Sequence, residues 1–367
     1  MNSNTPKYIE LQNNIINDIK EGILNAGDRI LSRNEMIAAY GYSDTTVKKA
    51  INYLENQGYV YKVKGKGTFV ADQKEEPKTI SVIVPFLTSI DNMFHGEEGR
   101  LVHVYPLVVQ NIEQIAHKKD WRVHLNLYYS DIKKERNILS GLLEKEADCA
   151  IYIYHNHKEN LDILNELVKS NFPITAVDIY PSEIENISHV STDNFDGSYN
   201  MTKSFIKEGF ERVVFFTWHI PHSSTLAREA GYRKAIEEYG LSEEFIVLDD
   251  SSASLEPQGI ASISKYLGNI FNSNLKTAVI SVMPFQHLVL WKAASLADVN
   301  KSKIGWGCCD SPNISYGNNV KHVEMIQDFK TMTKKAISVL EQMLTGNFEP
   351  QKIKIGYKLT GNLDSIK

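Results

Sequence analysis

No stretch of about eighteen apolar residues occurs in this 367-residue chain, so no membrane-spanning helix is expected. Cysteine is scarce. Cys149, Cys308 and Cys309 are too few and too clustered for a disulfide framework, which fits a reducing, cytoplasmic setting. The opening "MNSNTPKYIELQNN" has no apolar signal core, so export is not expected. A phosphate-loop pattern is missing, and "KGKG" does not supply one. His155 and His157 lack a carboxylate or cysteine cluster at diagnostic spacing, so neither a metal nor another cofactor is expected. No motif combines a nucleophile, a base and an orienting group, and no enzyme activity is expected. The chain also lacks a net positive charge. Its formal net charge is −5, which in bulk argues against a nucleic-acid partner.

Local charge differs. From Arg29 to Ala71 there are seven basic residues (Arg29, Arg33, Lys48, Lys49, Lys62, Lys64, Lys66) and three acids (Glu35, Asp44, Glu55), a balance of +4. A basic segment within an acidic chain is the pattern of a DNA reader.

That segment has helical and then extended periodicity. Tyr8, Leu11, Ile15, Ile19 and Ile23 recur at helical spacing, which predicts a first helix ending at Gly27. Ser32 and Glu35 form a capping-box pattern that opens a second helix through Tyr40. Ser43 caps a third, with Val47, Ala50, Ile51 and Leu54 as its apolar stripe and Gly58 as its stop. "YVYKV" and "TFV" read as strands joined through "KGKG". Two helices joined by a tight turn and followed by a basic hairpin make a winged helix-turn-helix. The third helix would enter the major groove with its N-terminal residues at base edges; the alternative is a small helical domain that docks on protein. Lys64 and Lys66 neutralise phosphates, and Gly65 and Gly67 let the backbone approach.

"DQKEEPKT" (72–79) reads as a linker. Beyond it, "ISVIVPF", "RVHLNLYY", "DCAIYIYH", "ITAVDIY", "RVVFFTW", "TAVISVM" and "KIGWGCC" are apolar, β-rich runs. Most are separated by helical stretches such as Val108–Lys119, Lys134–Glu144 and Gly197–Lys207. This alternation implies parallel sheets with helices on both faces.

Residues 6–71 resemble the DNA-binding domain of the GntR family of bacterial transcription regulators. The likeness rests on "GDRILSRNEM", "SDTTVKKA", "LENQGYV" and "GKGTFV". It implies DNA contacts at Arg33 and Asn34, at Ser43, Thr45, Thr46 and Lys48, and at Gly65, Lys66 and Gly67. Lys49 and Lys64 extend the same basic surface. Where the family usually has Arg, this chain has Asp44. Asp44 either accepts from a cytosine amino group or only favours the positive end of the helix dipole.

"VSTDNFDGSYNMTKSFIKEGFERVVFF" and "LAREAGYRKAIEEYGL" resemble the effector domain of LacI/GalR regulators and the related periplasmic sugar-binding proteins. The combination is similar to the arabinose-responsive branch of the GntR family. The resemblance implies two α/β lobes around a ligand cleft. Arg228 would grip sugar hydroxyls and Asp310 would accept from them. Asp178 and Gln327–Asp328 would lie near lobe crossings, touching ligand or satisfying hinge backbone. Phe86 and Asp91 lie in a lid loop after the first strand, and Trp218 either stacks on a sugar or fills core. Met283-Pro284 replaces the family's usual Asn-Asp, which favours a less hydroxylated ligand such as a pentose or deoxy-sugar.

The expected fold class is therefore α/β. A winged helix-turn-helix (residues 1–71) and a linker (72–79) precede a two-lobed, periplasmic-binding-protein-like domain (80–367). The expected function is that of a sugar-controlled transcriptional regulator, probing operator DNA as a homodimer. A cytoplasmic sugar-binding protein or an enzyme on the α/β domain is the alternative.

Overall fold

The computed structural model describes residues 6–72, 77–85, 104–129, 131–218, 222–248, 274–297 and 299–366, with isolated positions between 260 and 271. The chain forms two compact units, Met1–Glu76 and Pro77–Lys367.

The first unit has helices α1 (Lys7–Lys20), α2 (Arg33–Tyr40) and α3 (Asp44–Asn56), then strands β1 (Val60–Val63) and β2 (Gly67–Val70). Leu11, Ile15, Met36, Val47, Ala50, Ile51, Leu54, Val60 and Val70 make its core. Burial of the i, i+3, i+4 stripe of α3 is what fixes that helix in place. The first helix stops earlier than its periodicity predicts. It ends at Lys20, not Gly27, and Ile23 is 63% exposed. The reason is the left-handed turn at Gly22 (φ 72°), after which the Ile23 and Leu24 amides both return to the Asp18 carbonyl.

The second unit holds two six-stranded sheets. One lobe is built on β3 (Thr79–Val84), β4 (Arg122–Leu127), β5 (Cys149–Tyr152), β6 (Ile174–Val177), β7 (Ser188–Thr192) and β13 (Lys352–Ile355). They lie in the order β13-β7-β6-β5-β3-β4, all parallel. The other lobe uses β8 (Arg212–Trp218), β9 (Phe245–Leu248), β10 (Thr277–Ser281), β11 (Gly305–Cys309), β12 (His322–Gln327) and β14 (Tyr357–Gly361). Their order is β14-β12-β11-β10-β8-β9, with only β14 antiparallel. Each sheet separates two apolar clusters, so its central strands are buried on both faces.

In the first lobe the helices are α4 (Val104–Lys118), α5 (Ile132–Leu143) and α6 (Leu161–Lys169). In the second the described helices include α7 (Asn194–Lys207), α8 (Ser223–Glu238) and α9 (Pro284–Leu296). The last, α10 (Phe329–Leu344), follows β12 of the second lobe but packs into the core of the first. The chain therefore crosses between lobes three times, at 192–194, 327–329 and 355–357. Asp178 is not at a crossing. It follows β6, and the chain leaves the lobe only after β7.

Candidate functional sites

In the first unit, α2 and α3 are each started by a serine. Ser32 accepts from the Glu35 amide, and Glu35 returns to the Ser32 amide, a complete capping box. Those bonds hold the Glu35 carboxyl below the usual carboxylate range. Ser43 accepts from the Thr46 amide at 3.3 Å. Its hydroxyl also lies 3.0 and 2.8 Å from those of Thr45 and Thr46. The three expected contact hydroxyls are thus one mutually bonded cluster at the start of α3.

Thr45, Lys48 and Lys49 are exposed on α3, and Asn34 is exposed on α2. Lys49 turns toward the first helix, with its ammonium 3.8 Å from the centre of the Tyr8 ring. The exposed face of α3 also carries Asn52, seven residues after Thr45, which was not singled out from the sequence. Its carboxamide oxygen accepts from Lys62 at 3.1 Å.

Ion pairs sort the basic residues. Arg29 pairs with Glu35, Arg33 with Asp44, and Lys62 with Glu55. All three acids of the segment are used. Lys48, Lys49, Lys64 and Lys66 have no ion pair among the described residues, so these four carry the local +4.

The wing turn runs through Lys64, Gly65 and Lys66, all exposed. Gly65 and Gly67 have φ of 76° and 122°. A Cβ on Gly67 would stand 3.1 Å from Arg29 Nε, so the glycine also makes room for that side chain. Ile30 donates to Thr68, and Val70 donates to Asp28. These bonds clamp the hairpin to the segment between α1 and α2.

In the second unit, a ring of polar contacts joins two crossings. Thr192 donates its hydroxyl to Gln327 Oε1. Gln327 Nε2 donates to Asp310 Oδ2 at 2.6 Å. Arg228 Nη2 lies 3.7 Å from the same oxygen. Arg228 Nε donates to Asn194 Oδ1 at 2.7 Å, and Asn194 Nδ2 returns to the Thr192 carbonyl at 3.2 Å. Arg228 Nη1 takes the Val282 carbonyl at 2.7 Å. Arg228 is 4% exposed, and its charge is compensated by this fork of acceptors.

Asp178 and Asp310 occupy equivalent places in the two lobes. Each follows the fourth strand, in the left-handed region (φ 65° and 76°). Each donates its amide to the next strand, to Val190 and Met325 respectively, at 2.9 Å. Burial pushes the Asp178 carboxyl up to about 6, opposed by Arg228 and reinforced by Asp310. Burial also raises Asp310, opposed by Arg228 and by its bonds with Gln327. Asp178 Oδ1 is buried without a hydrogen-bond partner among the described residues.

Of the expected ligand residues, Arg228, Asp310, Gln327 and Asp178 are brought together. Phe86 and Asp91 lie outside the described residues. Trp218 ends β8, and only its backbone is described. Asn194 and Thr192 were not singled out from the sequence. The "TDN" before α7 signals only a helix start there, because Asp193 caps it. Gly231 holds α8 to α7, since a Cβ there would stand 2.1 Å from the Phe195 carbonyl. This close packing brings Arg228 to Asn194.

Residues 7–70 match the model of the bacterial regulatory proteins of the gntR family. Over 219 residues the chain is 26% identical to an arabinose metabolism transcriptional repressor of Halalkalibacterium halodurans, covering 57% of this chain and 55% of the relative. It is 24% identical over 217 residues to the protein of that name in Geobacillus stearothermophilus, covering 58% and 56%. The matched region thus spans little more than half the length of these curated relatives. In structure it is similar to a LacI family transcriptional regulator from Enterococcus faecium with bound ribose. The TM-score is 0.59 at 19% identity, over 77% of this chain and 97% of that one. The chain therefore joins a GntR-type winged helix-turn-helix to a two-lobed α/β domain with the LacI/GalR fold.

Proposed function

We propose that this protein is a transcriptional repressor of carbohydrate utilisation, controlled by a monosaccharide held between the lobes of its second unit. The observation that carries the reading is the largely buried Arg228–Asp310–Gln327 constellation beside the 192–194 and 327–329 crossings, in a chain that also has a GntR-type reader. Buried carboxylates and a guanidinium fork suit sugar hydroxyls, which donate to the first and accept from the second. The reader engages a pseudo-palindromic operator as a homodimer. Its contacts are Arg33, Asn34, Ser43, Thr45, Thr46, Lys48 and the wing from Lys64 to Gly67. Arabinose, named for two relatives, is the first sugar to try, and the apolar Met283-Pro284 edge favours a pentose or deoxy-sugar.

Sugar binding changes lobe closure and thereby DNA affinity. By linkage, DNA changes sugar affinity by the same factor. The test is a thermal-shift screen of monosaccharides, followed by operator binding with and without the hit. If no sugar shifts melting and none alters DNA affinity, the sensor reading fails.

A further inference from the structure

The lobes meet a second time, away from the hydrogen-bond ring. His155 and His157 lie in the loop after β5, in the first lobe. His222 is the N-cap of α8, in the second. The His155 and His222 rings are 5.2 Å apart between centres, at 38°. His157 stands edge-on to His155 at 5.9 Å. Behind it, His157 Nδ1 lies 2.7 Å from Oε2 of Glu135, a fully buried carboxylate that also accepts from Tyr152 and Asn160. One residue beyond His222, Ser223 Oγ accepts from the Tyr180 amide of the first lobe at 3.1 Å. Two loops of one lobe therefore grip the start of the helix that carries Arg228 in the other.

We propose that His155 and His222 form a latch between the lobes, closed while both rings are neutral and opened by their protonation, so that effector binding weakens as pH falls. The effector part rests on the sugar-sensor reading given above. The ring contact itself does not.

The electrostatics of the contact support the latch. Burial pushes both rings down to about 4, with His157 lowering each further and His155 also lowering His222. Among the described residues, other titratable or charged groups around the loop include Tyr128, edge-on to His157 at 5.8 Å, the neighbouring Tyr154, Glu159 and the Lys158–Glu183 pair. Opening returns the rings toward the ordinary histidine value of about 6.5. Closure is then fully favoured above about 6.5 and is lost as pH falls toward 4. Asp178 acts with the opposite sign. Its carboxyl is raised to about 6 in the closed arrangement, so acidification protonates it there and favours closure. The direction of the pH effect therefore separates the two.

The test uses the full chain and arabinose, by calorimetric titration at about pH 7.5 and about pH 5.5. Affinity is expected to fall about ten-fold per histidine across that interval. In His155→Asn/His222→Asn the fall is expected to vanish or reverse, because Asp178 then acts alone. An affinity that is unchanged or rises on acidification overturns the latch. So does a double variant that keeps the wild-type pH dependence. Should the variant not fold, ring titration of the wild type by NMR decides: midpoints near 4 support the latch, and ordinary midpoints overturn it. If no sugar binds, depressed midpoints retain the latch and count only against the sensor reading.

Discussion

Asp44 and Arg33 form an ion pair, with Asp44 Oδ1 2.8 Å from Arg33 Nε, joining the first turn of α3 to the first turn of α2. Both side chains are about half exposed (54% and 50%), so the pair contributes at most about 1 kcal/mol to stability. Its consequence is orientation. Asp44 holds a guanidinium that the family resemblance assigns to DNA, and it cancels one positive charge on that face. Asp44→Asn is expected to tighten binding to all operator variants several-fold without reordering them. Anisotropy titrations across single-base variants measure this. A changed order of preference would instead make Asp44 a base reader.

The ion-pair pattern divides the lysines of the wing. Lys66→Ala is expected to weaken binding to every sequence and to flatten the salt dependence by about 0.9 in logarithmic slope, the effect of one phosphate contact. Lys62 already neutralises Glu55, so Lys62→Ala should change the slope much less. Equal slopes for Lys66→Ala and the wild type would remove Lys66 from the phosphate contacts.

Gly231 is buried against the Phe195 carbonyl, and its side-chain hydrogen is what lets α8 lie on α7. Gly231→Ala is expected to cost about 1–3 kcal/mol through overpacking. It should also weaken sugar binding, because Arg228 loses its placement at Asn194. Melting temperature and calorimetry read the two effects separately. Wild-type sugar affinity in a destabilised variant would show that this packing does not position Arg228.

Asp178 sets a pH dependence of stability. Its carboxyl is raised from 3.8 to about 6 on folding. The folded state therefore holds this proton more tightly, and stability is lost as pH rises from about 4 through 6. Asp178→Asn is expected to raise stability near neutral pH by about 2–3 kcal/mol and to have no such effect near pH 4. Denaturant titrations at the two pH values check it. A gain independent of pH would mean that the carboxylate charge is not the cause.

Much of the fold is legible in the sequence because burial there follows local period. The α3 stripe of Val47, Ala50, Ile51 and Leu54 is fully inside. The continuous apolar runs became the central strands β3, β5, β6, β8, β10 and β11, covered on both faces. The strands without such runs were not legible. Ser188–Thr192 is mostly polar yet fully buried, since it lies between β6 and β13 and its Ser188 hydroxyl accepts from Gln351. Lys352–Ile355 and Tyr357–Gly361 are sheet edges with polar faces, so they carry no continuous apolar signal.

By itself, the sequence determined the order of the two units, the helix caps at Ser32 and Ser43 and the glycine wing turn. Caps, turns and stripes are written within a few neighbouring residues, where local chemistry decides them. The tertiary structure alone decided that Asp44 pairs with Arg33, that Thr192 and Asn194 close a ring with Arg228, Asp310 and Gln327, and that His155 meets His222. Those partners lie on different elements, and the Arg228 ring and the histidine pair join different lobes. Such contacts depend on how separately formed helices and sheets pack, which no local period encodes.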